Sequence, residues 1–151
     1  MPSSTYPEFT AMPSRKVDPF VLVVDDTALY RDTIQAVLEQ NGYRTLAADN
    51  GVTGLALFRE HGKETIQAVV TDLQMPVMTG LQLLEAIQRL APAVKVICIS
   101  GSPAALSIVP QVPGRVVALQ KMAGMNELLT CLEALLKEED SSRSWSEAQE
   151  R

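Results

Sequence analysis

The stretch AVVTDLQMPVMTG, residues 68–80, places a carboxylate, Asp72, directly after a run of small and β-branched residues. A short apolar run bounded by turn-forming residues is typical of a strand that is buried on both faces. The chain then breaks at Met75-Pro76, because proline lacks the N–H group that a continuing strand needs. Asp72 is therefore predicted to stand at the carboxyl end of a buried strand.

The same alternation of apolar runs and helical periodicity extends along the rest of the chain. Strands are predicted in FVLVVDD (20–26), YRTLAAD (43–49), IQAVVTD (66–72), AVKVICIS (93–100) and GRVVALQK (114–121). Helices are predicted in TALYRDTIQAVLEQ (27–40), VTGLALFREHG (52–62), GLQLLEAIQRL (80–90) and NELLTCLEALLKEE (126–139). Strands that alternate with helices through short connections predict an α/β fold, a parallel sheet with helices on both faces.

The length and composition fit one globular domain. The chain has 151 residues, of which 46% are apolar and 21% charged, as in ordinary globular proteins. The segment before the first strand is rich in Pro and Ser, so residues 1–18 are predicted to be a disordered arm. The domain itself is predicted to span residues 19–139, and residues 140–151 form a polar C-terminal tail.

Charge and hydropathy argue against several classes of function. The net charge is −5, and no Lys/Arg cluster stands out, so we expect no nucleic acid to bind this chain. No apolar run approaches the roughly 18 residues that a membrane span needs. The N-terminus also lacks an apolar signal-peptide core, so a cytoplasmic location is predicted. Cys98 and Cys131 lie far apart in apolar patterns and are expected to be free thiols.

Polar residues stand at the ends of four predicted strands. Asp25 and Asp26 end the first strand, Asp72 the third and Ser100 the fourth, and Lys121 follows the last. Because the carboxyl ends of parallel strands meet at one edge of a sheet, these side chains should converge on one crevice.

Such a set of groups suits phosphoryl transfer. Three adjacent carboxylates repel one another, and a hard divalent cation such as Mg²⁺ relieves this repulsion. A carboxylate can also attack phosphorus to give an aspartyl phosphate. The transferred group then needs positive charge and a hydroxyl to stabilise its oxygens.

With these residues in place, the sequence resembles the receiver domain of bacterial two-component response regulators. The motifs VLVVDD, TDLQMPVMTG, ICISGS and LQK occur in the family's order, each at a predicted strand end, and the resemblance runs from about Phe20 to Glu139. It implies a flavodoxin-like, doubly wound five-stranded parallel sheet with strand order 2-1-3-4-5.

The resemblance also assigns roles to individual residues. Asp72 matches the phosphoacceptor, which takes its phosphoryl group from a histidine kinase or phosphotransfer protein. Asp25 and Asp26 match the acidic pair that holds Mg²⁺, together with Asp72 and the backbone carbonyl of Gln74.

The remaining matches concern the switch and the loop after the acceptor. Ser100 matches the hydroxyl that moves to bond the phosphoryl group. Lys121 matches the cation that pairs with the acceptor or the phosphoryl oxygens. Pro76 and Gly80 match the loop that follows the acceptor.

Three features depart from the family pattern. Met122 stands where a proline usually follows the lysine, so the cis bond that helps to aim the lysine is missing. Ala118 stands where an aromatic ring usually reports phosphorylation to the output face. Prolines Pro103, Pro110 and Pro113 predict that the fourth helix is short or irregular, with Pro103 in its first turn and Pro110 stopping it.

The leading hypothesis is a stand-alone phosphoacceptor domain, because only about 30 residues follow Lys121, too few for a DNA-binding output domain. Its output would be a contact with a downstream protein that the sequence does not identify, and a homodimer stays open.

The alternatives are a degenerate receiver acting as a phosphorylation-independent scaffold, or a receiver fragment of a hybrid kinase. An enzyme of the haloacid dehalogenase type is disfavoured, since it needs Asp-x-Asp on the first strand. A nucleotide-binding domain is disfavoured because no Gly-rich loop follows that strand.

Overall fold

The computed structural model describes the backbone of residues 20–150 and the side chains of residues 20–137. The predicted disordered arm, residues 1–18, lies outside the described residues. Within residues 20–150, no helix combines the length and apolar character that crossing a bilayer would require.

Strands and helices alternate throughout the described chain. The strands are β1 (Phe20–Val24), β2 (Arg44–Ala48), β3 (Ile66–Asp72), β4 (Lys95–Ser100) and β5 (Val116–Gln120). The helices are α1 (Ala28–Gln40), α2 (Gly51–His61), α3 (Gly80–Leu90), α4 (Pro103–Ser107) and α5 (Met125–Glu150). A 3-10 turn, Lys121–Ala123, separates β5 from α5.

The five strands form one parallel sheet in the order β2-β1-β3-β4-β5. This confirms the predicted strand order and the doubly wound α/β fold. The strands β1 and β3, whose predicted segments end on Asp26 and Asp72, are neighbours within the sheet. Their carboxyl ends, and those of β4 and β5 beside them, therefore lie along one edge.

Helices cover both faces of the sheet because the central strands are apolar on both sides. Val21 and Val23 of β1 pack with α1 and α5, whereas Leu22 and Val24 pack with α2 and α3. All four are fully buried, and each such side chain contributes roughly 1.5–3 kcal/mol to folding. Burial on two faces explains why the β1 sequence is a continuous apolar run rather than an alternating one.

The fourth helix is short, as the prolines predicted. It covers only five residues, with Pro103 in its first turn, and the side chain of Ser102 caps it by accepting from the Ala105 N–H. The helix has ended at Ser107, before it reaches Pro110.

The loop after α4, residues 108–115, folds back against the outer edge of β5. Val112 forms an antiparallel bridge with Val116. The Gln111 side-chain oxygen accepts a hydrogen bond of 3.0 Å from the Ala118 N–H. The loop thus satisfies backbone groups that an edge strand would otherwise leave open.

The last helix continues beyond the predicted end of the domain. The α5 backbone is helical to Glu150, so the segment predicted as a polar tail from residue 140 extends the helix. The side chains after residue 137 lie outside the described residues, and the domain boundary at residue 139 stays a prediction.

A glycine fixes the close packing of the loop that connects β3 to α3. A Cβ atom on Gly80 would lie 2.1 Å from the Asp72 carbonyl oxygen and 2.7 Å from the Leu73 Cα. The Gly80 N–H donates to the Leu73 carbonyl at 2.9 Å. The loop after Asp72 therefore returns directly against the strand end, which holds the backbone on both sides of the carboxylate.

Gly80→Ala should destabilise the protein by at least about 2 kcal/mol, because backbone atoms would have to move to make room for the methyl group. Urea unfolding measures this as a lower midpoint. Gly101→Ala is the matched control: a Cβ atom there meets nothing within 4 Å, so its stability should stay within about 0.5 kcal/mol of the wild type. Equal midpoints for the two variants would contradict the close approach at Gly80.

Candidate functional site

The structure brings the predicted polar residues together at the carboxyl edge of the sheet. Asp25 follows β1 directly, Asp72 and Ser100 are the last residues of β3 and β4, and Lys121 follows β5. Carboxylate oxygens of Asp25, Asp26 and Asp72 lie within 4.8 Å of one another. The convergence that the strand pattern predicted is therefore present in the fold.

The three carboxylates differ in their environments. Asp25 is fully buried, Asp72 is 4% exposed, and Asp26 is exposed. Asp25 Oδ1 accepts from the Thr27 N–H at 2.8 Å, while Asp25 Oδ2 accepts no well-aligned hydrogen bond. A buried carboxylate oxygen needs a compensating partner, and here the Lys121 ammonium faces it.

Lys121 bridges the two buried carboxylates. Its Nζ lies 3.3 Å from Asp25 Oδ2 and 3.5 Å from Asp72 Oδ2. One ammonium thus faces two buried carboxylates, with the exposed Asp26 nearby, so the pocket keeps an excess of negative charge.

The excess of negative charge affects the pKa values of both Asp72 and Lys121. Burial, and then the neighbouring Asp25 charge, raise the pKa of Asp72, and the attraction of Lys121 only partly offsets them. Burial acts to lower the pKa of Lys121, but the charges of Asp72 and Asp25 together raise it above its ordinary value. Lys121 is therefore held in its charged form, while Asp72 is a carboxylate that the pocket under-neutralises.

Ser100 is fully buried and its hydroxyl is already engaged. Its Oγ lies 3.2 Å from the Gln74 side-chain Oε1, to which it donates, and it accepts from the Ser102 N–H at 3.0 Å. The Gln74 N–H faces Asp72 Oδ1 at 3.4 Å. Gln74 therefore connects the loop after β3 with the end of β4.

The acidic set fits a hard divalent cation. Three carboxylates on two adjacent strand ends offer oxygen ligands, and the exposed Asp26 leaves one side open to water, as Mg²⁺ prefers. Asp25 Oδ2 faces Lys121 but accepts no well-aligned hydrogen bond, which is consistent with this. The assignment of the Gln74 carbonyl as a further ligand stays a prediction.

Two residues of α1 also contact the site, and the sequence pattern did not single them out. Arg31 donates through Nη1 to the Asp25 carbonyl at 2.7 Å. Tyr30 lies against Lys121, with its ring centroid 4.4 Å from the ammonium. The one available signal was its spacing, one helical turn after Asp26, which ordinary core residues share.

Met122 and Ala118, the two residues near Lys121 that depart from the family pattern, have structural consequences. Among the described residues no peptide bond is cis, so the chain runs trans from Lys121 into Met122, which is 89% exposed. Ala118 is partly buried and packs against the core. Its N–H is held by Gln111. No aromatic ring occupies this position, as the sequence indicated.

Comparison with protein-family models gives one match. A model described as the response regulator receiver domain matches residues 21–133. The matched region includes every residue of the candidate site.

Similar proteins of known sequence are longer than this chain. The autoinducer 1 sensor kinase/phosphatase LuxN of Vibrio campbellii is 34% identical over 83 residues, which is 55% of this chain and 9% of that protein. The alkaline phosphatase synthesis transcriptional regulatory protein SphR of Synechococcus elongatus is 31% identical over 124 residues, 78% of this chain and 48% of that protein. The chain thus spans less than half of either relative.

Solved structures share the fold across almost their whole length. A response regulator receiver domain protein from Clostridium thermocellum matches with a TM-score of 0.73 and 26% identity, over 81% of this chain and 97% of that one. A CheY-like receiver domain protein from Methanospirillum hungatei matches with a TM-score of 0.72 and 26% identity, over 83% and 99%.

Asp72→Asn should stabilise the protein at neutral pH in the absence of divalent cations. Because the folded-state pKa of Asp72 is raised, ionisation of this carboxyl destabilises the folded protein. Its contribution to the free energy of unfolding is fully present below the ordinary Asp pKa of about 4 and is lost as pH rises through the folded-state pKa. A neutral amide avoids that loss. A gain on the order of 1 kcal/mol would raise the melting temperature by about 2–4 °C.

Thermal melts at pH 7 and pH 3.5, with a chelator present, measure the difference. The gain should be present at pH 7 and largely absent at pH 3.5. The control is Asp32→Asn, an exposed position on α1, which should melt like the wild type at both pH values. A destabilised Asp72→Asn at pH 7 would mean that the Lys121 ion pair outweighs burial and repulsion.

Proposed function

Because this chain belongs to the response regulator receiver domain family, we propose that Asp72 accepts a phosphoryl group from the phosphohistidine of a sensor histidine kinase or phosphotransfer protein. One observation carries the proposal: the Asp72 carboxylate stands at a strand end, 3.5 Å from a lysine ammonium and beside two further carboxylates. Domains of this family are normally phosphoacceptors rather than turnover enzymes, and we propose no turnover reaction.

The reaction is a transfer between two nucleophiles. A carboxylate oxygen of Asp72 attacks the phosphorus, the new O–P bond forms, and the N–P bond to the donor imidazole breaks with its electron pair returning to the ring nitrogen. Asp72 is buried and under-neutralised, so its carboxylate is poorly solvated and available as a nucleophile. Lys121, already 3.5 Å away, stabilises the charge on the phosphoryl oxygens.

We propose that Asp25, Asp26, Asp72 and the Gln74 carbonyl hold Mg²⁺. When bound, the cation supplies positive charge that offsets the negative charge of the pocket and the incoming phosphoryl group. Asp25 would contribute Oδ2, which faces Lys121 but accepts no well-aligned hydrogen bond. Asp26 would face solvent, where water completes the coordination.

Ser100 would respond to the new group by changing its hydrogen bond. Its single hydroxyl proton is now donated to Gln74, and it must leave that acceptor to reach a phosphoryl oxygen. This exchange would free the Gln74 side chain and shift the loops after β3 and β4. A phosphoryl group biases an equilibrium only through contacts that differ between two states, and this exchange is such a difference.

The output would be a contact with a partner protein in the cytoplasm. Ala118 carries no ring that could relay the change to β5, so we propose that the partner reads the loops at the site or the irregular α4 region. A phosphorylation-independent scaffold is the second candidate, favoured by the same missing ring. A stand-alone role, a homodimer and a fragment of a hybrid kinase all stay predictions. The similarity to a region of the sensor kinase LuxN keeps the last of them open.

Incubation with acetyl phosphate and Mg²⁺ should add one phosphoryl group to the intact protein, measured by mass spectrometry. Asp72→Asn should not be labelled, whereas Asp32→Asn should be labelled like the wild type. A chelator, or Asp26→Ala, should slow labelling by at least about 10-fold, because even changes to the groups that support metal ligands cost about 10- to 100-fold. Full labelling of Asp72→Asn would overturn the assignment. A wild type that gains no mass would favour the scaffold.

Beryllofluoride, a phosphoryl mimic, should change amide chemical shifts mainly in residues 73–80 and 100–104. Weak changes are expected in residues 116–119 and 126–133, because Ser100 and Gln74 move while Ala118 has no ring to move. Heteronuclear NMR spectra with and without the mimic provide the comparison. Changes on β5 and α5 as large as those in the loops would show that another residue performs the aromatic's role.

A further inference from the structure

Tyr30 contacts both the side-chain ammonium and the backbone carbonyl of Lys121. The ammonium lies 4.4 Å from the centroid of the tyrosine ring. The tyrosine hydroxyl donates to the Lys121 backbone carbonyl at 3.2 Å. One side chain from α1 therefore restrains both the main chain and the charged tip of a residue 91 positions away.

The restraint comes from a rigid group on a rigid element. Tyr30 is partly buried and packs against the core cluster shared by α1 and α5. An aromatic side chain has only two side-chain torsions, so packing fixes it at low entropic cost. Lys, in contrast, has a flexible four-carbon stem that carries about 2 kcal/mol of rotamer entropy.

The segment around Lys121 supplies little restraint of its own. Lys121 begins a three-residue 3-10 turn, and Met122 beside it is exposed rather than packed. The turn ends at Gly124, whose φ of 95° is in the left-handed region that favours glycine. The position of the ammonium therefore depends on what contacts Lys121 from outside the turn: Asp25, Asp72 and Tyr30.

We propose that Tyr30 is a positioning residue for phosphoryl transfer, holding the Lys121 ammonium against Asp72 through its ring and the Lys121 backbone through its hydroxyl. This inference rests on the proposed function of Asp72. The two carboxylates attract the ammonium without fixing its orientation. The ring adds an attraction perpendicular to its own face, which restricts where the ammonium can lie. When phosphorylation changes the charge at Asp72, the tyrosine contact remains, so the ammonium stays aimed at the phosphoryl oxygens.

Two variants separate the two contacts. Tyr30→Phe keeps the ring and removes the hydroxyl, whereas Tyr30→Leu keeps apolar volume and removes the ring. Tyr43→Leu is the matched control, because Tyr43 packs partly buried against the same core cluster. It precedes β2, however, which is the outer strand on the side of the sheet away from β5 and Lys121. Tyr30→Met, which is flexible enough to repack, replaces Tyr30→Leu if that variant does not fold by circular dichroism.

The first measurement needs no phosphorylation. The ε-methylene protons of Lys121 should show an upfield ring-current shift in carbon–proton NMR spectra of the wild type. The shift should persist in Tyr30→Phe and Tyr43→Leu and disappear in Tyr30→Leu. A wild-type Lys121 with ordinary lysine shifts would overturn the proposal, whatever the fate of the proposed function.

The second measurement is the rate of labelling by acetyl phosphate at saturating Mg²⁺. Tyr30→Leu should be slowed about 2- to 5-fold, which is the change that a partly exposed cation–π contact supplies. Tyr30→Phe should fall between that variant and the wild type, and Tyr43→Leu should label at the wild-type rate despite any loss of stability. An unchanged rate in Tyr30→Leu, or equal slowing in Tyr43→Leu, would show a merely structural role. If the wild type is not labelled at all, the proposed function fails, and the ring-current shift alone decides whether Tyr30 holds Lys121.

Discussion

The repulsion between two buried carboxylates, Asp25 and Asp72, is the interaction around which the site is arranged. Asp25 directly follows β1 and Asp72 ends β3, and a single ammonium faces both at 3.3 and 3.5 Å. Two buried negative charges with one positive neighbour leave an excess of negative charge. A pocket with balanced charge would gain less from a bound cation. The residual negative charge is therefore what the proposed cation would neutralise.

The sheet topology determines which groups can meet. Because β1 and β3 are neighbours, the buried acids are brought side by side without any loop having to reach across. Ser100 and Lys121 follow from β4 and β5 in order, so the hydroxyl and the ammonium approach from the same side. Gly80 then returns the chain against the end of β3, and the backbone on both sides of Asp72 is fixed. Precision at the carboxylate is thus a property of the scaffold rather than of mobile loops.

Much of this could be read from the sequence because burial on two faces leaves a strong local pattern. The apolar runs before Asp25 and Asp72 marked central strands, and parallel topology then implied convergence of the acids. The prolines likewise predicted a short α4, since their effect on a helix is local. Tyr30 and Gln111 could not be assigned in this way. Their roles depend on contacts with residues distant in sequence or in irregular loops, and neither contact has a periodic signature. The extension of α5 beyond residue 139 was also missed, because its polar composition gives no amphipathic pattern.

The loop that covers β5 has a consequence for how this protein meets other chains. An open sheet edge invites a foreign strand to add to it through backbone hydrogen bonds. Here Val112 pairs with the N–H and carbonyl of Val116, and Gln111 accepts from the Ala118 N–H, so an incoming strand would have to displace them first. Because α4 is only five residues long, the residues that follow it are available to cover β5. The loop therefore protects the first half of β5 against edge-to-edge pairing with another sheet, and a partner that binds there would meet side chains before it meets open backbone groups.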